Sequence, residues 1–160
     1  MSHTRVRMSV PTESLRQEHR KIRELLREYS ALPLDDRNQR EWLFDKIHRQ
    51  LLLHFALEEE IVYPAVKNTG VDEAIESVEE AQWGHRLLRQ LLTELSQMSA
   101  QDRSFDSKMN VLRINLDHYI ETEERTLFPG VREMSRELRE SLRAQLEALR
   151  DRLLDQQRHG

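Results

Sequence analysis

Cysteine is absent from this sequence, and residues that interrupt helices are scarce. The 160 residues include no cysteine, four glycines and four prolines. Without cysteine there is no disulfide and no thiolate ligand, so any metal must be held by nitrogen and oxygen atoms, which excludes iron–sulfur clusters and zinc fingers. Charged residues make up 34% of the chain and hydrophobic residues 38%. This balance is typical of long exposed helices, and we expect an all-α protein.

Long hydrophobic runs and an excess of one charge are also missing. No apolar segment approaches the roughly 20 residues of a membrane-spanning helix. The opening segment MSHTRVRMSV lacks the apolar stretch of a signal peptide. The net charge of −4 arises from both signs mixed along the chain, with no separate basic face. We therefore expect a soluble, cytoplasmic protein that binds neither nucleic acid nor membrane.

The sequence contains an internal repeat. The segment from His19 reads H-R-x-I-R-x-L-L, and the segment from His85 reads H-R-x-L-R-x-L-L. Two arginine- and leucine-rich helices can look alike by chance, but further matches follow in the same order at offsets of 64 to 66 residues. Such ordered matches indicate a duplicated helical hairpin. The matching pairs are His19 with His85, His54 with His118, Glu58 with Glu123, and Pro64 with Pro129.

Hydrophobic periodicity predicts four main helices, two in each half of the repeat. Their expected bounds are about 12–29, 40–63, 72–98 and 104–128. Short connections between them predict an antiparallel up-down four-helix bundle over residues 11–134. Residues 1–10 are expected to be a flexible N-terminus.

Residues 135–160 are expected to form an additional amphipathic C-terminal helix and tail. Leucines recur along it at the spacing of three and four residues that marks one helix face. This stripe would either cap the bundle or pair with another subunit, which makes a homodimer one alternative. The stripe consists of Leu138, Leu142, Leu146, Leu149 and Leu153.

Polar residues occupy positions on the apolar stripes where a core residue is expected. His54 and Glu58 are four residues apart, so both side chains project from one side of the helix and can reach the same cation. A buried, unpaired carboxylate is costly, and buried charges are normally paired or coordinated to a metal. No lysine or arginine lies on these stripes as a partner. The pattern therefore favours a metal site.

The fourth helix departs from this spacing, because Thr122 stands four residues after His118. Its acidic candidates are Glu121, Glu123 and Glu124. Glu123 is favoured, because its distance to the following proline equals that of Glu58 in the first half. A residue five positions on points away from the first in a regular helix, so we expect one π-bulge between His118 and Glu123. Two apolar residues are then placed on the buried face before the site: Val111 and Ile114.

The candidate set comprises four imidazoles and two carboxylates. This nitrogen and oxygen set suits iron, and carboxylates able to bridge favour two ions, although zinc or manganese would also fit. A single histidine on an apolar face is more often a hydrogen-bonded core residue than a ligand, but the duplication and the matched acids favour a metal. The predicted ligands are His19, His54, Glu58, His85, His118 and Glu123. His3, His48 and His159 have no such support.

The ordered pattern H…HxxxE…H…HxxxxD/E resembles the hemerythrin family, also called the HHE cation-binding domain. The resemblance covers about Leu15 to Val131. It implies two non-haem iron ions bridged by Glu58 and Glu123 and by an oxo or hydroxo group. It also implies that one iron is bound by His19 and His54, and the other by His85 and His118.

One departure from the family pattern affects the expected function. Oxygen-carrying hemerythrins have a fifth histidine one turn before the residue that His85 matches, and Ala81 stands there in this chain. The resemblance then implies an open position on the second iron, filled by water, hydroxide, Gln82 or Tyr119. We expect a protein that binds oxygen, nitric oxide or peroxide for sensing, storage or detoxification. The alternatives are a redox enzyme or iron donor in the repair of damaged iron centres, and a zinc-bound structural bundle; turnover is neither required nor excluded.

Overall fold

The computed structural model of the chain describes residues 11–159, and these residues form helices and short connections without any strand. The first half contains α1 (Pro11–Ala31), α2 (Arg37–Leu57), a π-helical segment (Glu58–Val62) and α3 (Tyr63–Lys67). The second half contains α4 (Asp72–Gln97), α5 (Arg103–Thr126) and α6 (Phe128–Arg132), and α7 (Arg136–His159) follows. The predicted all-α, up-down four-helix bundle with an additional C-terminal helix is confirmed. The prediction of a flexible segment at 1–10 lies outside the described residues.

The connections between the helices follow from local sequence. The Asp36 carboxylate accepts a hydrogen bond from the backbone N–H of Gln39 at the start of α2. The Asp102 carboxylate accepts one from the N–H of Ser104 at 3.0 Å at the start of α5. Both contacts satisfy backbone donors that the first turn of a helix leaves free. Gly70 adopts φ 71° in the turn between the two halves, a conformation that other residues rarely adopt.

The buried apolar residues form two clusters, one on each side of a polar layer along the bundle. The first cluster joins α1, α2, α4 and α5 beyond the layer and contains Ile22, Leu26, Phe44, Ile47, Leu51, Leu88, Leu92, Leu112 and Leu116. The second contains Leu15, Leu57, Val62, Val66, Val78, Leu127, Phe128 and Val131, together with leucines of α7. The polar layer is therefore enclosed by apolar side chains at both ends.

Helix α7 packs against its own bundle. Leu142, Leu146 and Leu149 are at most 3% exposed and belong to the second apolar cluster. Leu138, at the start of the predicted stripe, is 58% exposed. The central part of the stripe is thus covered within the chain, and a homodimer through this helix stays a prediction. None of the helices in the described residues is long and apolar enough to cross a membrane.

The register predicted for α5 is wrong. Val111 and Ile114 were expected to be buried, but they are 46% and 53% exposed. Helix α5 is a continuous α-helix, and the π-helical segment lies in the first half, where the Tyr63 N–H bonds to the Glu58 carbonyl. Pro64 has no N–H to donate to the carbonyl four residues earlier, which disfavours a regular turn at this point.

Candidate metal centre

A cluster of buried histidine and glutamate side chains lies inside the bundle. Its core is His19 of α1, His54 of α2, Glu58 of the π-helical segment and Glu123 of α5, whose potential ligand atoms all lie within 4.8 Å of one another. None of these four residues is more than 2% exposed. Four separate segments thus deliver one nitrogen or oxygen donor each to the same small volume.

The donor atoms face one another directly. The His54 Nε2 lies 2.6 Å from the Glu58 Oε1 and 2.9 Å from the His19 Nε2. The His19 Nε2 lies 3.4 Å from the Glu123 Oε1. Because two imidazole nitrogens and two carboxylates converge, the cluster presents electron-rich atoms to a common centre.

His85 of α4 completes this layer on the side of two tyrosines. Its Nε2 lies 3.5 Å from the Glu58 Oε1, 2.9 Å from the Tyr63 hydroxyl and 2.5 Å from the Tyr119 hydroxyl. The two hydroxyls are 2.8 Å apart, and the Tyr119 hydroxyl also donates to Glu123 and Glu58. A histidine, two phenols and two carboxylates therefore share this half of the layer.

Each of the three buried histidines is held by a carboxylate at its other ring nitrogen. The Nδ1 of His19 lies 3.2 Å from Glu124, that of His54 lies 2.7 Å from Glu18, and that of His85 lies 3.0 Å from Glu59. A carboxylate at Nδ1 keeps the proton on that nitrogen and directs the Nε2 lone pair inward. Histidines that bind metals are normally oriented in this way.

The electrostatics of the cluster match an interior that lacks a cation. Burial lowers the pKa of His54, but the carboxylates of Glu58 and Glu18 outweigh burial and raise that pKa well above its usual value. Burial and the charge of His54 lower the pKa of His19 to about 4. Burial and the neighbouring Glu58 carboxylate raise the pKa of Glu123 well above its usual range. Protons on His54 and Glu123 thus compensate the buried charge.

The residues fit a bound cation. Among the described residues, the Glu58 Oε2 and the Glu123 Oε1 are buried and have no hydrogen-bond partner. A buried polar atom without a partner costs about 1–3 kcal/mol, so such atoms normally have one. Both orphaned oxygens belong to the two carboxylates predicted to bridge metal ions. Imidazole nitrogens and carboxylate oxygens suit iron, manganese or zinc.

The structure brings five of the six predicted site residues together and leaves His118 outside. His118 is exposed, so the prediction that it points into the bundle is wrong. Tyr119 takes the inward position, and it lies four residues before Glu123, so both face the same side without a bulge. The sequence analysis missed the role of Tyr63. The two glutamate pairs Glu58-Glu59 and Glu123-Glu124 were an available signal, since the second member of each supports a histidine of the other half.

A cavity of about 170 Å³ lies between α4 and α5 and reaches the tyrosine side of the cluster. Buried Tyr119 and Glu123 line its inner part, and exposed His118 lines its outer part. Ala81 and Gly84 line the cavity on α4, and a Cβ added to Gly84 would approach the Tyr119 ring to 3.1 Å. The small residues of α4 therefore leave space for a molecule of a few atoms beside the cluster.

Comparison with known proteins identifies the class of this fold and site. Residues 10–131 match the model of the Hemerythrin HHE cation binding domain. The chain belongs to this family. Its structure is similar to the crystal structure of a hemerythrin HHE cation-binding domain-containing protein from Mycobacterium kansasii, with 26% sequence identity and a TM-score of 0.72 over 91% of this chain and 90% of that chain. No curated protein matches the sequence significantly.

Proposed function

We propose that the buried cluster binds two iron ions and that this centre binds a small molecule such as dioxygen, nitric oxide or peroxide. One observation carries the proposal. Three buried histidines direct Nε2 toward two buried carboxylates, while a separate carboxylate holds each Nδ1. A histidine that only filled space in a core would need no such oriented support. The proposed ligands are His19, His54, Glu58, His85 and Glu123.

The distances support a bridging role for the two glutamates. Glu58 lies between the histidines of the two halves, with its Oε1 at 2.6 Å from the His54 Nε2 and 3.5 Å from the His85 Nε2. Glu123 contacts His19 on one side and the Tyr119 hydroxyl on the other. One ion would then be held mainly by His19 and His54. The other would be held by His85, where tyrosine hydroxyls occupy the space expected for His118.

The surroundings suit a small ligand on the His85 side. Iron would supply the affinity and the electrons for binding dioxygen, nitric oxide or peroxide. The Tyr63 and Tyr119 hydroxyls can donate hydrogen bonds there, and their pKa values are raised well above the usual range by burial and by nearby glutamates, so both keep their protons. The cavity beside Ala81 offers room for a molecule of this size. These features support sensing, storage or detoxification.

A redox enzyme or iron donor in the repair of damaged iron centres is the second candidate. The observation that favours it is the pair of protonated phenols 2.8 Å apart beside the cluster. Reducing a peroxide or an oxidised iron centre consumes protons, and hydroxyls within hydrogen-bond reach are suitable donors. Consumption of hydrogen peroxide by iron-loaded protein, lost in Tyr119→Phe, would favour this candidate over a sensor.

Iron content tests the proposal directly. Protein loaded anaerobically with ferrous iron should hold about two ions per chain by elemental analysis, as expected for a carboxylate-bridged pair. Glu123→Gln should lose iron, because one oxygen of each proposed bridge is removed as an anionic ligand. Glu121→Gln is the matched control, since Glu121 lies two residues away and is exposed. One ion or none in the wild type, or preference for zinc over iron, would contradict the proposal.

A further inference from the structure

Helix α7 contacts the candidate metal centre although it lies beyond the segment 10–131 that the family model matches. Arg150 of α7 donates from Nε to the Glu18 Oε1 at 3.0 Å and also contacts that oxygen through Nη2. The other oxygen of Glu18 lies 2.7 Å from the His54 Nδ1. A continuous chain of hydrogen bonds thus runs from α7 through Glu18 to a proposed ligand.

The opposite half contains a second chain with the same residue types. Arg89 donates to the two oxygens of Glu59 at 3.2 and 2.8 Å, and Glu59 lies 3.0 Å from the His85 Nδ1. Here all three residues belong to the bundle itself. The arrangement of arginine, glutamate and histidine therefore occurs twice, and only the copy at His54 depends on α7.

We propose that Arg150 is a positioning residue, through which α7 sets the metal affinity of the half-site containing His54. This inference rests on the proposed metal-binding function. Glu18 is 9% exposed, and its two oxygens contact different partners, so Arg150 fixes the rotamer in which the second oxygen faces His54. Without Arg150, Glu18 can turn toward solvent, and the imidazole loses the carboxylate that orients it.

The same chain makes docking of α7 dependent on the metal. Coupling between two sites is reciprocal, so if α7 improves metal binding, metal binding must stabilise the docked α7 by the same factor. Metal-loaded protein should therefore show slower amide hydrogen exchange in α7 around Arg150 than metal-free protein. The slowing should be absent in Arg150→Gln.

Cobalt affinity separates positioning from a purely structural role of Arg150. We would measure Co²⁺ binding by competition with a chromogenic chelator and follow the visible cobalt absorption bands. Arg150→Gln should bind Co²⁺ roughly 10-fold more weakly, the lower end of the effect of losing an outer hydrogen-bonding partner. Arg143→Gln is the control, since Arg143 lies on the same helix and pairs with Glu147 at 3.0 Å on α7 itself. Arg150→Lys should recover part of the affinity.

The double variant Glu18→Gln/Arg150→Gln should bind no more weakly than Glu18→Gln alone, because Arg150 acts through Glu18. Equal Co²⁺ affinity in wild type and Arg150→Gln, or additive losses in the double variant, would overturn the inference while leaving the metal site intact. If Arg150→Gln lowers the melting temperature of the metal-free protein without changing cobalt affinity, its role is structural and the inference fails. Wild-type protein that binds neither Co²⁺ nor iron would instead overturn the proposed function itself.

Discussion

His85 and His118 differ sharply in their surroundings, and this difference determines which one can bind metal. His85 is 1% exposed, and its Nδ1 is held by Glu59. His118 is exposed on α5. We expect His85→Ala to weaken binding by more than roughly 100-fold, beyond the loss of an outer partner, and His118→Ala to retain the full iron content. Chelator competition on both variants makes the comparison. Equal losses would restore His118 as a ligand.

The methyl group of Ala81 leaves space in the cavity beside the cluster. Ala81→His would place an imidazole one turn before His85, on the side that faces Tyr119. Azide should bind to the oxidised, iron-loaded wild type and much more weakly to this variant, because the added ring fills the cavity or the open coordination position. Leu87→His is the control, since Leu87 lines the same cavity but is 61% exposed. Unchanged azide titrations in Ala81→His would show that ligands reach the centre by another path.

At the scale of elements, periodicity predicted every main helix to within a few residues but misplaced one face of α5. His54 and Glu58 lie on one helix face in sequence and in structure alike. In α5 the analysis aligned His118 with His54, an offset of 64 residues, although Glu123 follows Glu58 at 65. Keeping the offset at 65 selects Tyr119. A tyrosine is also an ordinary core residue, so its residue type alone did not mark it as part of a site.

The ends of α1, α2 and α5 are joined by Asp106, far from the metal centre along the bundle. Asp106 accepts hydrogen bonds from the Tyr29 hydroxyl at 2.7 Å and from Arg37 and Arg40 at 2.6 and 3.2 Å. Burial raises the pKa of Asp106, but these three donors outweigh it and lower the pKa below its usual value. The folded state therefore favours the charged carboxylate.

Asp106→Asn should lower the free energy of unfolding by about 1–2 kcal/mol at pH 7, because hydrogen bonds to a charged group are replaced by weaker ones. Since the folded pKa is lowered, this contribution is present above the unfolded pKa of about 3.9 and is lost as pH falls through the folded value. Urea unfolding of both proteins should therefore differ at pH 7 and converge in acid. Glu94→Gln removes an exposed pair with Lys108 and should change stability little. A difference that persisted at low pH would contradict the assignment.

On the scale of the whole molecule, the polar layer separates the two apolar clusters, and its charges make the metal-free bundle less stable than the loaded one. A ligand that binds only the folded state adds about 2.7 kcal/mol at 100 times its dissociation constant. Iron or cobalt should therefore raise the melting temperature by several degrees, and a chelator should reverse the rise. Calorimetry with and without metal checks this. In the variant Glu58→Gln/Glu123→Gln, the metal should have little effect on melting.

The close approach of Gly84 to Tyr119 indicates that the two halves diverged through paired changes. At an offset of 65 residues, Glu18 corresponds to Gly84 and His54 to Tyr119. In one half a glutamate supports an imidazole, and in the other an absent side chain makes room for a phenol, since a Cβ at Gly84 would meet the Tyr119 ring at 3.1 Å. Either partner changed alone is mismatched with its neighbour. Restoring histidine symmetry should therefore require Gly84→Glu and Tyr119→His together, a case of epistasis between two positions on facing helices.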